Sequence, residues 1–228
     1  MCGRFTSTVT PADLAAYFDV DDVVTDDLGA RFNVAPTDEV YAVARSKSTG
    51  RTRLGTFKWG LVPFWAKDPA TGGRMINARV ETLLDKPAFR RPFERYRCII
   101  PADGFYEWTP VADGKKKQPW YIHRADGDVL AIAGLWSSWH PKDGGERLTT
   151  CTIITGDPND VVRPLHDRMP VVLPPSAWAA WLDPGNDDVE SLRALLVPPP
   201  AELYEAYPVI DAVSNVRNDG PHLLDRLS

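Results

Sequence analysis

Short β-type runs recur from Val40 to Leu173, set apart by proline, glycine and Asp-Gly pairs. This rhythm constrains the chain more than any other feature and points to a β-rich fold. Val40 to Arg45 and Thr56 to Trp59 are two such runs, Arg97 to Pro101 is apolar, and Gly104 to Trp108 is aromatic. Asp113-Gly114 and Asp126-Gly127 carry hairpin-turn signals and bracket a strand near Pro119 to His123. Val129 to Trp136, Leu148 to Thr155 and Met169 to Leu173 read as further strands.

Helices are fewer. Thr10 is placed to cap a helix that has Pro11 at its first position and Asp13 near its positive end. Leu14, Tyr17 and Phe18 share one face of it, and the acidic loop holding Asp19, Asp21, Asp22, Asp26 and Asp27 ends it. Pro87 to Tyr96, Pro175 to Leu182 and Val189 to Leu196 are the other candidates, and Pro198-Pro199-Pro200 then breaks the chain. With no internal repeat or long linker, the expectation is a single α+β domain over residues 1–228, predominantly β with a few peripheral helices.

Composition narrows the function classes. No apolar run reaches the length of a membrane span, and no basic start followed by an apolar stretch suggests export. Three cysteines without close spacing favour neither a disulfide framework nor a zinc site, so a reducing cytoplasm is expected and no cofactor or metal is implied. The net charge of −5 argues against nucleic-acid binding as a sum, but the acidic residues cluster while arginines lie elsewhere. Arg4, Arg31, Arg79, Arg90, Arg91, Arg95, Arg97, Arg163 and Arg168 leave room for a local basic groove.

Cys2 carries the distinctive chemistry. Removal of Met1 would leave a residue bearing an α-amine and a thiol on adjacent carbons. Their ordinary pKa values, near ~8 and ~8.5, make both partly available as nucleophiles close to neutral pH. The amine can condense with an aldehyde, and the neighbouring thiol can close on the imine carbon to give a five-membered thiazolidine. This expectation needs the aminothiol exposed. Cys98 and Cys151 lie in apolar runs, where a thiol behaves as a small hydrophobe.

Several motifs extend the argument. Met1-Cys2-Gly3-Arg4-Phe5, Arg31-Phe32-Asn33-Val34-Ala35-Pro36 and Ile76-Asn77-Ala78-Arg79-Val80-Glu81-Thr82 are followed by Ala102-Asp103-Gly104-Phe105-Tyr106-Glu107-Trp108 and His166-Asp167-Arg168-Met169-Pro170. In this order, and with Trp59 to Pro63 and Ser214 to Asn218, the chain resembles the SRAP family over nearly its whole length. These are the SOS response-associated peptidases, or abasic-site processing proteins.

The resemblance implies binding to single-stranded DNA or single/double-strand junctions, and covalent capture of abasic sites. It implies Cys2 as nucleophile, Asn77 as the residue orienting the amine, Glu107 as general acid/base and His166 as a second proton-transfer group. A carboxyl between Tyr106 and Trp108 is placed for partial desolvation, which would raise its pKa. An imidazole can protonate the ring oxygen of the abasic sugar and open it to the aldehyde. Arg4, Arg79 and Arg168 stand beside these residues and are candidates for phosphate contact. Trp65 and Pro36 are candidates for stacking on or wedging between bases, with Asn33 and Thr155 as polar contacts. One departure is Ala66, where many relatives carry an aromatic ring; it bears on the stacking platform, not on the chemistry.

Other functions fit parts of the pattern. A thiol (auto)peptidase would need an oxyanion site that the sequence does not reveal. A non-covalent reader would bind intact and abasic strands equally, and β-elimination would be a side branch of the Schiff base. The expected state is a monomer, at the nucleoid when bound to DNA.

Overall fold

Residues 2–111, 114, 116–142 and 144–227 are described by the structure, a computed structural model. In chain order the elements are β1 (Phe5–Ser7), α1 (Pro11–Tyr17), β2 (Asp22–Val23), β3 (Arg31–Val34), β4 (Glu39–Arg45), β5 (Thr52–Trp59), β6 (Asn77–Arg79) and α2 (Pro87–Arg95). They continue with β7 (Arg97–Ala102), β8 (Gly104–Pro110), β9 (Lys117–Arg124), β10 (Leu130–Trp139), β11 (Leu148–Gly156), β12 (Met169–Pro170), α3 (Pro175–Leu182), α4 (Val189–Ala194) and β13 (Tyr204–Pro208). The fold is α+β and predominantly β, as expected.

Strands β4 and β5 form a hairpin, in register from Glu39 opposite Lys58 to Arg45 opposite Thr52. β7 adds to β4, β10 to β7 and β11 to β10, all antiparallel. β11 then meets β5 in parallel, with Thr150 opposite Lys58 and Cys151 opposite Trp59. The pairing therefore returns to its start and closes a five-stranded barrel. A second sheet runs in the order β13-β9-β8-β1-β3.

Period-two alternation explains how the layers assemble. On β4, Val40, Ala42 and Ala44 join Cys98, Ile100, Ile132, Cys151 and Ile153 in a core that also holds Phe5, Phe105 and Ile122 of the second sheet. Tyr41 and Val43 face the other way, into a core completed by Leu14 of α1, Phe93 of α2, Trp181 of α3 and Leu192 of α4. One set of side chains from the barrel strands thus packs together and with residues of the second sheet, and the other set packs against the helices.

Local signals account for several boundaries. The Thr10 hydroxyl accepts from the Asp13 amide at 3.2 Å and Pro11 opens α1, as the cap predicts. α3 has the expected bounds, while α2 and α4 stop short of theirs. The Met169 to Leu173 strand is shorter than predicted, because the segment splits its bonds between two partners: the Val171 amide donates to Ile154 and the Leu173 amide to Ala131. Asp126-Gly127 is a turn, with Gly127 at φ +74°, but not a hairpin: it carries the chain from β9 in one sheet to β10 in the other. Asp113 of the other turn signal lies outside the described residues.

Arg97 departs from the basic-groove expectation. It is buried, and its guanidinium donates to the carbonyls of Phe93, Glu94, Trp181, Asp183 and Asn186. Burial lowers its pKa to about 10. It ties the ends of α2 and α3 to β7, satisfying carbonyls that helix C-termini leave without partners.

Candidate active site

Strand β1 lies between β3 and β8, with Phe5 opposite both Val34 and Phe105. This pairing draws Cys2, three residues earlier, into the core shared by the two sheets. β8 contributes by alternation: Phe105 joins that core, Tyr106 turns to the opposite side, and Glu107 falls on the Phe105 side. β6 pairs in parallel with β11, placing Asn77 beside Ile153 and Arg79 beside Thr155.

These elements gather the four proposed catalytic residues. The Asn77 amide donates to the Cys2 carbonyl at 2.8 Å. Glu107 sits close enough to Cys2 for its charge to add to burial in raising the thiol pKa. His166 Nε2 lies 4.0 Å from Glu107 Oε2. Cys2 is fully buried in the chain that carries Met1, whereas the chemistry expected from the sequence needs the aminothiol exposed once Met1 is gone. The thiol, 3.9 Å from the Arg4 carbonyl, is held well above its ordinary range and is neutral here.

Glu107 is only 3% exposed, and burial pushes its carboxyl up to about 7. A group half-ionised at neutral pH can both give and take a proton. Burial lowers the pKa of His166. Its Nδ1 accepts from the Arg168 amide at 3.0 Å and also lies 2.8 Å from Asp167 Oδ1. The amide suits a neutral ring with its proton on Nε2, towards Glu107, whereas the carboxylate suits the imidazolium. Two buried oxygens complete the picture. Asn77 Oδ1 and Thr155 Oγ1 have no hydrogen-bond partner among the described residues, and the two residues sit two register positions apart along β11. Buried polar atoms without partners are costly, and such a pair fits a site awaiting a ligand.

The proposed DNA contacts divide. Arg79 is exposed. Pro36 is half-buried before Thr37, which takes a left-handed φ of +76°. Trp65 is 47% exposed and stands edge-on to Phe64 at 4.9 Å. Their loop is held where Gly60 crosses Gly72: a Cβ on Gly60 would meet the Gly72 carbonyl oxygen at 2.7 Å.

Asn33 is buried and faces inward. Its amide nitrogen donates to the carbonyls of Val213, Asn215 and Asn218, and its oxygen accepts from Arg4. It therefore anchors the C-terminal segment rather than facing a ligand. Arg4 also donates to the Val213 carbonyl, yet it lines an open hollow with Trp108, Lys116 and Lys117. Arg168 makes a two-pronged ion pair with Glu81. Glu81 was not singled out from the sequence; its only signal was its place in the Asn77 to Thr82 motif.

Fold and site together define a β-rich protein with a thiol, a carboxamide, a carboxyl and an imidazole gathered near its N-terminus. The family model described as SOS response associated peptidase (SRAP) matches residues 1–216, and the chain belongs to this family, as its motifs suggested.

The chain is 42% identical over 226 residues to the abasic site processing protein YoqW of Bacillus subtilis, covering 99% of each. It is 34% identical to the abasic site processing protein YedK of Escherichia coli, covering 98% of this chain and 99% of the other. It is 30% identical to the abasic site processing protein HMCES of Xenopus tropicalis, covering 98% of this chain and 78% of that one. A crystal structure of a protein from Bacteroides thetaiotaomicron matches it with a TM-score of 0.86 at 27% identity, over 100% of both chains.

Proposed function

We propose that this protein processes abasic sites in DNA by capturing them covalently through Cys2. The observation that carries the reading is the convergence of Asn77, Glu107 and His166 on Cys2. The family membership and the names of its relatives supply the substrate.

Loss of Met1 frees the Cys2 amine and removes the residue that precedes it. The amine attacks the aldehyde carbon of the ring-opened sugar, and the resulting carbinolamine loses water to give an imine. The thiol then adds to the imine carbon, its proton passing to the imine nitrogen, and the thiazolidine closes. One water is released overall. Glu107, with its pKa raised to about 7, takes the proton from the attacking amine and returns one to the departing hydroxyl. His166 delivers a proton to the sugar ring oxygen. Asn77 holds the Cys2 carbonyl, and its open Oδ1 is available to accept from the freed amine.

The DNA is a single strand or a single/double-strand junction, bound by the monomer through Arg79, Trp65 and Pro36, with Arg4 and Arg168 at the margins. β-Elimination from the imine is a side branch. A peptidase acting on other proteins would need a bound scissile carbonyl and an oxyanion site in addition to the thiol.

Intact mass of the purified protein, with and without an abasic oligonucleotide, tests the proposal. The expected masses are the chain lacking Met1, and that chain plus the oligonucleotide less one water. Retained Met1, or a protein that shows no adduct after denaturation, would overturn it.

A further inference from the structure

A groove away from Cys2 combines cations with flat rings, and no carboxylate lines it among the described residues. It occupies about 570 Å³ between the β4–β5 hairpin, the end of α2 and the start of β11. Arg45, Lys47 and Arg147 project at its rim and are exposed, and Phe57, Tyr96 and Trp136 form its floor. Tyr96, Trp136 and Arg147 also line a second hollow of about 280 Å³ that contains Phe64 and Trp65, so the two adjoin. Among the described residues no aspartate or glutamate lines either hollow. That is unexpected on a chain with 31 acidic and 26 basic residues.

The rings form a connected set. Trp136 lies 5.0 Å from Tyr96 and 5.7 Å from Phe57 between centroids, and Arg91 stacks on Phe64 at 4.8 Å and reaches Tyr96 at 5.8 Å. Not every cation there is available: Arg53 pairs with Asp22 at 3.3 Å, and Arg95 faces Asp187 at 3.9 Å. Arg45 donates to the Gly50 carbonyl and Arg147 to the Ser138 hydroxyl, neither of which neutralises a charge.

We infer that this groove is a second, non-reacting track for single-stranded nucleic acid, along which strand beyond the abasic site continues from Trp65. Phosphates meet the rim cations and bases lie on the rings, the combination that holds single strands without reading their sequence. None of Cys2, Asn77, Glu107 or His166 lines it, so it contributes affinity rather than chemistry. The inference rests on the DNA-processing reading for its polymer, but binding of undamaged strand tests it independently.

The test compares the full chain with the triple variant Arg45→Glu, Lys47→Glu, Arg147→Glu, using fluorescence anisotropy on undamaged single strands of about 6 and about 20 nucleotides. Thermal melting checks that the variant folds. The parent is expected to bind the long strand more tightly than the short one. Loss of three phosphate contacts lowers the salt slope for the long strand by about 2, on the order of a hundredfold in affinity at ~0.1 M salt. Adduct formation with a short abasic strand stays at the parent rate. A folded variant that keeps the long-strand affinity and salt slope overturns the inference. So does polyglutamate competing as well as the oligonucleotide, which would assign the groove to acidic peptides. A parent that forms no adduct while retaining its length advantage would refute covalent capture and leave the groove standing.

Discussion

Replacing Glu107 by Gln should make the protein more stable at neutral pH while impairing its chemistry. Burial raises the carboxyl from its ordinary 4.5 to about 7. Between those values the folded chain holds a proton that the unfolded chain has released, so stability falls as pH rises through the window and levels off above pH 7. The pKa difference corresponds to roughly 3 kcal/mol of stability present below pH 4.5 and gone above pH 7. Gln keeps the shape and cannot ionise. Urea denaturation of both proteins from pH 5 to pH 8 should therefore show the variant gaining on the parent by about 2 to 3 kcal/mol across that range. At ordinary urea sensitivities this is a midpoint shift of about 1 M or more. Adduct formation should slow, and a pH limb near 7 in its rate should vanish. A stability difference that stays constant from pH 5 to pH 8 would show that Glu107 titrates like an exposed carboxyl, and its assignment as proton carrier would fall with it.

The remaining predictions address the nucleophile, the DNA contacts and the fold. Cys2→Ala should abolish the denaturation-resistant adduct while retaining most of the affinity for abasic single strands, read by gel and by anisotropy. Glu81→Gln should release Arg168 from its ion pair, raising affinity for undamaged single strands and steepening the salt slope by ~0.7, the value for one phosphate contact. Because that pair is largely at the surface, melting should move little. Arg97→Ala should be severe: it strips charged donors from five carbonyls and should cost about 3 kcal/mol or more, seen as a large drop in melting temperature.

Much of the β-structure was legible because β4, β7, β8 and β11 carry their own alternation or apolar runs. Barrel closure was not. The parallel contact of β11 with β5 joins residues about ninety positions apart and leaves no local mark on either strand. Three-residue β1 was equally silent, although its pairing with β3 and β8 is what buries Cys2. The motifs marked the neighbourhood of the site but not the duties within it, because a short motif mixes reacting residues with the residues that hold them. Asn77 to Thr82 contains both Asn77, bonded to Cys2, and Glu81, bonded to Arg168. Arg31 to Pro36 contains Asn33, whose amide and oxygen are all engaged inside the protein. The partner inventory separates these cases. A buried polar side chain whose every atom is satisfied internally maintains the fold, whereas Asn77 Oδ1 and Thr155 Oγ1 have no partner among the described residues, and neither do Thr152 Oγ1 and Tyr204 OH. Of these four, Asn77 is the one bonded to Cys2, with Thr155 two register positions along β11. On that ground Asn77 and Thr155, rather than Asn33, are the polar residues expected to meet the substrate.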